Sequence, residues 1–210
     1  EISDYLDQRR LQPAPETPWE QLRFVVFDTE TSGLDLRKDR LLSIGAVTVE
    51  SGSILLGQSL EILVRQEQPG RNEAAHVHGI LSSELRRGEE EQAALARFLR
   101  FIGPAVLVGH HAAFDVGMIE RALRRRVPAF RLYNRCIDTA HLAIRCDHPG
   151  PSAEMISYAS YSLDALAQRF QIRSSDRHTA WGDSLITAQL LLKLLRLRSK
   201  QVKPILRNLL

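Results

Sequence analysis

Cysteine is scarce in this chain. Cys136 and Cys146 are the two it has, they form no CxxC pair, and their spacing points to neither a thiolate metal site nor a disulfide-stapled fold. A reducing, intracellular setting is therefore expected. Long apolar runs are missing as well: none approaches the ~20 residues that cross a bilayer, and the opening EISDYLDQRR does not read as a secretory signal. These absences lead to the expectation of a cytoplasmic protein. The first residue is Glu1 rather than Met, as expected of a piece of something longer. Neither sign of charge dominates, with 28 basic against 25 acidic residues and a formal net charge of +3. That balance permits a phosphate-rich partner without requiring one. Internal repeats and low-complexity segments are also lacking.

What is present suits one globular core, since 44% of the 210 residues are hydrophobic and 25% charged. Residues 1–10 have the pattern of a short amphipathic helix, and Pro13, Pro15 and Pro18 follow in an extended connector. Residues 1–22 thus read as an arm or linker, 23–197 as the functional domain and 198–210 as a basic tail. Apolar runs at Phe24–Phe27, Leu41–Val49 and Ile54–Val64 predict three strands. The short Glu50-Ser51-Gly52-Ser53 link makes the last two an antiparallel hairpin. Arg65 to Gly88 is polar and long, and reads as a binding loop.

Helical periodicity runs from Glu89 to Ile102 and stops at Gly103-Pro104. The unalternating Ala105–Val108 then reads as an interior parallel strand. Helices follow from Phe114 to Arg126, after Asp138 or Thr139 as cap, and from Ser162. The last helix, Trp181 to Leu197, carries a stripe of Leu185, Ile186, Ala188, Leu192 and Leu195.

The stretch FVVFDTETSGL, Phe24 to Leu34, organises the rest. Residues two apart on a strand share a face, so Asp28 and Glu30 project into one small volume. Like charges this close raise each other's pKa, and a divalent cation with hard oxygen ligands relieves them. Two more acidic residues occupy suggestive places. Asp115 follows a buried strand and a small-residue turn in GHHAAFD, where strand ends commonly carry functional groups. Asp183 closes HTAWGD, which begins at His178 and enters the last helix. Taken singly, the capping of a helix start accounts for either residue.

Taken together, Asp28-x-Glu30, His111-x-x-Phe114-Asp115 and His178-x-Ala180-x-x-Asp183 resemble, in order and spacing, the three motifs of the DnaQ-like 3′-to-5′ exonucleases. The match is to the DEDDh subgroup, whose fourth carboxylate is preceded by a His, and to the proofreading domains of bacterial DNA polymerase III. The similarity runs from about Phe24 to Leu195 and takes in Thr31, Gly33, Leu34, the Val77–Ile80 segment and Leu163–Leu166. One position departs: His111 stands where the family usually has Asn.

The resemblance implies an α/β, ribonuclease H-like fold, a mixed sheet with three antiparallel strands followed by parallel strands and flanked by helices. It implies two divalent ions, Mg²⁺ or Mn²⁺, held by Asp28, Glu30, Asp115 and Asp183, with His178 as the catalytic base. A group with a reference pKa of about 6.5 suits that task near neutral pH. Thr31, Gly33, Leu34, His78, His111 and Phe114 are the implied substrate contacts, with plain core packing the alternative for Phe114 and an ordinary loop histidine the alternative for His78. The implied reaction releases nucleoside 5′-monophosphates from the 3′ end of single-stranded DNA, in proofreading or repair, with a polymerase or a fused domain as partner. Arg86, Arg87 and the Arg124–Arg126 run could reach phosphates, although the run reads first as the solvated face of a helix, and no aromatic-rich basic surface suits a long strand, so the expected footprint is short. Two alternatives stay open: a 3′-exonuclease acting on RNA or oligonucleotides, and an inactive nucleic-acid or protein-binding module of the same fold.

Overall fold

The computed structural model describes residues 2–67, 78–150 and 157–210. Among them are the strands β1 Arg23–Thr31, β2 Leu41–Glu50, β3 Ser53–Leu63, β4 Val106–Gly109 and β5 Cys136–Asp138. The helices are α1 Ile2–Asp7, α2 Ser82–Arg87, α3 Glu91–Ile102, α4 Ala113–Arg124, α5 Thr139–Asp147, α6 Leu163–Arg169 and α7 Ala180–Arg198. The sheet order is β3-β2-β1-β4-β5. β1 runs antiparallel to β2 and β2 to β3, whereas β4 lies parallel to β1 and β5 parallel to β4. The expected mixed sheet, with its antiparallel opening, is therefore the observed one. Ser51 and Gly52 both take positive φ, 51° and 72°, as a tight hairpin turn requires.

Alternation along β1 feeds two cores. Phe24 and Val26 pack with Val47, Leu142, Leu166, Leu190 and Leu194, in the layer of α5, α6 and α7. Val25 and Phe27 pack with Ile44, Ala46, Phe98, Leu99 and Ile119, in the layer of α3 and α4. β4 is buried throughout, which is why Val106, Leu107 and Val108 show no polar alternation.

Several elements differ from expectation. α7 buries Ser184, Ile186, Thr187, Ala188, Leu190, Leu191, Leu194 and Leu195, while Leu185 and Leu192 are half-buried. It packs on β1 and β2 and also on α5 and α6, so its apolar surface extends beyond one stripe and the 3.6-residue signal blurs. The Arg65 to Gly88 stretch contains α2, with 68–77, including Val77, outside the described residues. Arg124 pairs with Glu120, and Arg125 with Glu91 at 2.8 Å, so these cations are already engaged on the protein surface.

The two terminal segments, expected as an arm and a tail, lie against the domain and each other. Pro18 and Ile205 form an antiparallel bridge, and the Trp19 N–H donates to the Pro204 carbonyl at 3.0 Å. Tyr5 of α1 is 2% exposed and stacks on Tyr133. Among the described residues no helix is long and apolar enough to cross a membrane.

Gly45 of β2 sets the height of α7 over the sheet. It pairs with Asp28 across the β1–β2 ladder, and a Cβ on it would lie 2.1 Å from the Ala180 carbonyl carbon and 2.2 Å from the Trp181 nitrogen. Both obstacles are backbone, so a side chain there must lift the helix start. Gly45→Ala is expected to cost about 1–3 kcal/mol, as overpacking does. That is a fall of roughly 2–12 °C in melting temperature for a chain of this size. Thermal unfolding followed by circular dichroism checks this, and an unchanged midpoint would show that the helix start yields freely.

Candidate active site

Asp28 and Glu30 lie inside β1, which runs on to Thr31, rather than just past a shorter strand. Their side chains share the face on which α7 begins, and Asp183 is in the first turn of that helix. Carboxylate oxygens of Asp28, Glu30 and Asp183 all lie within 4.8 Å of one another. Asp115 stands outside that triangle. It comes from α4 in the opposite layer and is 5% exposed, where the Thr29 hydroxyl donates to its Oδ1 at 2.5 Å. Thr29 points away from Asp28 and Glu30 because strand side chains alternate. The strand between the layers thus gathers acids from both.

The loops that deliver these acids are held by groups with weak sequence signals. Asp138 caps α5 by accepting from the Ala140 N–H at 2.9 Å, and its Oδ2 accepts from the Ala112 N–H at 3.0 Å. One carboxylate therefore secures both a helix start and the turn before Asp115. His111 has φ 57°, a left-handed conformation in which Asn, Asp and His are enriched, which gives a physical reason why His can stand where Asn is usual. His110 Nδ1 lies 2.9 Å from the Thr139 hydroxyl, and burial pushes its pKa down to about 4. His110 is thus neutral near pH 7.

At α7 the Thr179 hydroxyl caps the Gly182 N–H at 3.0 Å. A Cβ on Gly182 would lie 2.0 Å from the Asp176 carbonyl, so the turn carrying His178 wraps directly on the helix. His178 is exposed, with φ 62°.

The turn after β1 is closed by Asp39, which accepts from the Ser32 hydroxyl and the Asp35 N–H, both at 2.8 Å. A Cβ on Gly33 would lie 2.5 Å from this carboxylate. Thr31 is buried and donates to the Gly33 carbonyl at 2.7 Å. Arg121 of α4 donates to the carbonyls of Asp39 and Arg37. On this tethered turn Leu34 is 86% exposed, an apolar side chain presented to solvent by an ordered loop. Phe114 is half-buried in the first turn of α4. His78 is buried, its Nδ1 accepting from the Ile80 N–H at 3.0 Å. It lines a cleft of about 690 Å³ with Ser43, Ile80, Arg87 and Trp181. Ser43 pairs with Glu30 across the ladder, so this cleft adjoins the acids. Trp181, Asp138, Asp39 and Gly45 carried no site signal in the sequence reading.

Burial, then the charges of Asp115, Asp183 and Glu30, holds the Asp28 carboxyl well above the usual range. Glu30 is pushed up to about 8 by burial and by Asp183 and Asp115, and burial raises Asp115 to about 7. Among the described residues the buried Asp183 Oδ1 has no hydrogen-bond partner. Crowded hard oxygens, raised proton affinities and an orphaned carboxylate oxygen fit a divalent cation.

A mixed sheet with its acids gathered along the middle strand defines the class, a ribonuclease H-like nuclease domain. Residues 25–191 match the family described as Exonuclease, RNase_T, and the chain belongs to that family. It is 35% identical over 184 residues to the DNA polymerase III subunit epsilon-like protein of Rhodobacter capsulatus, covering 86% of this chain and 25% of that one. It is 32% identical over 190 residues to the DNA polymerase III subunit epsilon of Rickettsia typhi, covering 88% and 79%. The crystal structure of E. coli Exonuclease I in complex with a dT13 oligonucleotide shares the fold, with a TM-score of 0.68 and 20% identity over 86% of this chain and 42% of that one. The chain thus spans a quarter of the Rhodobacter relative and under half of Exonuclease I.

The raised carboxyl pKa values set a pH dependence. Between the ordinary values near 4 and about 7 for Asp115 and 8 for Glu30, the metal-free folded state binds more protons than the unfolded chain. The stability from these groups is present below about pH 4 and lost as pH rises through 7 and 8. A divalent cation bound there would replace those protons. The rise in melting temperature produced by Mg²⁺ or Mn²⁺ should therefore be larger at pH 8.5 than at pH 6 by the same linkage; an equal rise at both would contradict the assignment.

Proposed function

We propose that this chain is a divalent-metal-dependent 3′-to-5′ exonuclease that removes nucleoside 5′-monophosphates from single-stranded DNA. The observation that carries the reading is the convergence of Asp28, Glu30 and Asp183 within 4.8 Å, with Asp115 bonded to Thr29 beside them. Two ions held by these four carboxylates would, when bound, polarise the scissile phosphate and stabilise the attacking and leaving oxygens. His178, on its exposed turn, accepts the proton of the attacking water. Leu34 stacks on the terminal base, an apolar contact that tolerates any base, while Thr31 and Gly33 shape the turn beneath it. Phe114, His111 and His78 border the same nucleotide.

DNA as the polymer is supported by the names of the polymerase III relatives and by the oligonucleotide in the Exonuclease I complex. The same names point to a replication or repair polymerase as partner. Residues 23–197 form the exonuclease unit in this reading, and the terminal segments pack on it.

Digestion of a 5′-labelled single strand tests the proposal. With Mg²⁺ or Mn²⁺ the strand should shorten stepwise from its 3′ end and release monophosphates. Asp28→Ala should be inert, and a matched RNA strand measures the preference. His178→Ala should keep Mn²⁺ affinity while turnover falls by about 10²–10⁴-fold, the range for loss of a general base. Equal inertness of wild type and Asp28→Ala across metals and strands would leave only a binding module.

A further inference from the structure

The two oxygens of Asp183 are treated differently. Oδ2 accepts from Arg177 Nη1, whereas Oδ1 is buried with no hydrogen-bond partner among the described residues. An unsatisfied buried oxygen is costly, and this one belongs to the Asp28, Glu30, Asp183 group, where a cation can take it. Arg177 is itself anchored. Its Nε and Nη2 donate to the two oxygens of Asp164 at 2.6 and 3.0 Å, in the first turn of α6. The planar guanidinium therefore grips one carboxylate with a fork and a second through an N–H of Nη1, a geometry that an ammonium does not reproduce.

Arg177 also lies between two residues in the left-handed region, Asp176 at φ 58° and His178 at φ 62°. That conformation is unfavourable for a non-glycine residue and persists where the surroundings over-determine it. The surroundings here are the Arg177 fork, the Thr179 hydroxyl donating to the Asp176 carbonyl at 2.8 Å, and the close fit of that carbonyl over Gly182.

We infer that Arg177 is a positioning residue that serves the metal and the base together. It fixes Asp183 with Oδ1 presented to the cation, and it pins the strained turn that carries His178. Outer partners of ligating carboxylates commonly act this way. The inference rests on the metal-dependent reading above. Coulomb repulsion between Arg177 and a cation works in the opposite direction, but Asp164 neutralises that charge in place, so the geometric effect decides.

Two variants separate geometry from charge. Arg177→Lys keeps the charge and loses the fork, and the double variant D164N/R177Q keeps the local net charge and loses the contact. Mn²⁺ binding measured by calorimetry should weaken about 10–100-fold in both, with far-ultraviolet circular dichroism unchanged. In both, kcat on a single strand should fall while KM holds. Mn²⁺ affinity within about twofold of wild type in both variants, small against the expected loss, overturns the inference. Tighter binding in either, the mark of a merely repulsive charge, does so too. Wild type and Asp28→Asn run beside them test the parent reading: if wild type binds no Mn²⁺, or Asp28→Asn binds it equally, the metal site fails and the inference falls with it.

Discussion

Carboxylates crowded side by side repel one another, and the middle of this sheet brings them together nonetheless. Asp28 and Glu30 share a strand face, Asp183 comes from the helix laid over that face and Asp115 from the helix on the other side. Without a cation the site holds protons that carboxyls ordinarily release, and it draws one arginine into contact. The folded chain thus keeps a set of hard oxygen donors in an unfavourable arrangement that a divalent ion relieves. In the proposed function, binding and chemistry both follow from that imbalance, because an ion that satisfied the donors would also polarise a phosphodiester.

Holding such a site open requires rigid supports, and they come largely from small residues and short polar caps. Gly45 and Gly182 have no room for a Cβ against the backbone at either side of the α7 start. Asp138 joins the turn before Asp115 to the start of α5, and Asp39 closes the turn that carries Leu34. The two apolar layers on β1 fix the strand between them. Each acid is therefore positioned by groups outside the motifs that announce it.

That division explains what could be read from the sequence. The strand segments, the hairpin and the positions of the acids were legible because each rests on local spacing: alternation around Asp28 and Glu30, the short Glu50–Ser53 link, the helix starts before Asp115 and Asp183; the mixed sheet and the joining of the acids into one site came from the family resemblance. Long-range fits were not legible. Pro18 meets Ile205 across almost the whole chain, so segments rich in proline or basic residues read as an arm and a tail although Tyr5, Trp19 and Leu206 are buried. Gly45 looks like any glycine in a strand until the Ala180 backbone is placed against it. Arg177 reads as an ordinary loop cation until its two acidic partners meet.

The central claim is that Asp28, Glu30 and Asp183 hold a divalent cation with Asp183 Oδ1 as a ligand. Anomalous diffraction from a crystal soaked in Mn²⁺ tests it most directly. The account predicts a peak among Asp28, Glu30 and Asp183, on the Oδ1 side of Asp183, with Arg177 still on Oδ2. Absence of a peak there while Mn²⁺ binds elsewhere on the protein would contradict it.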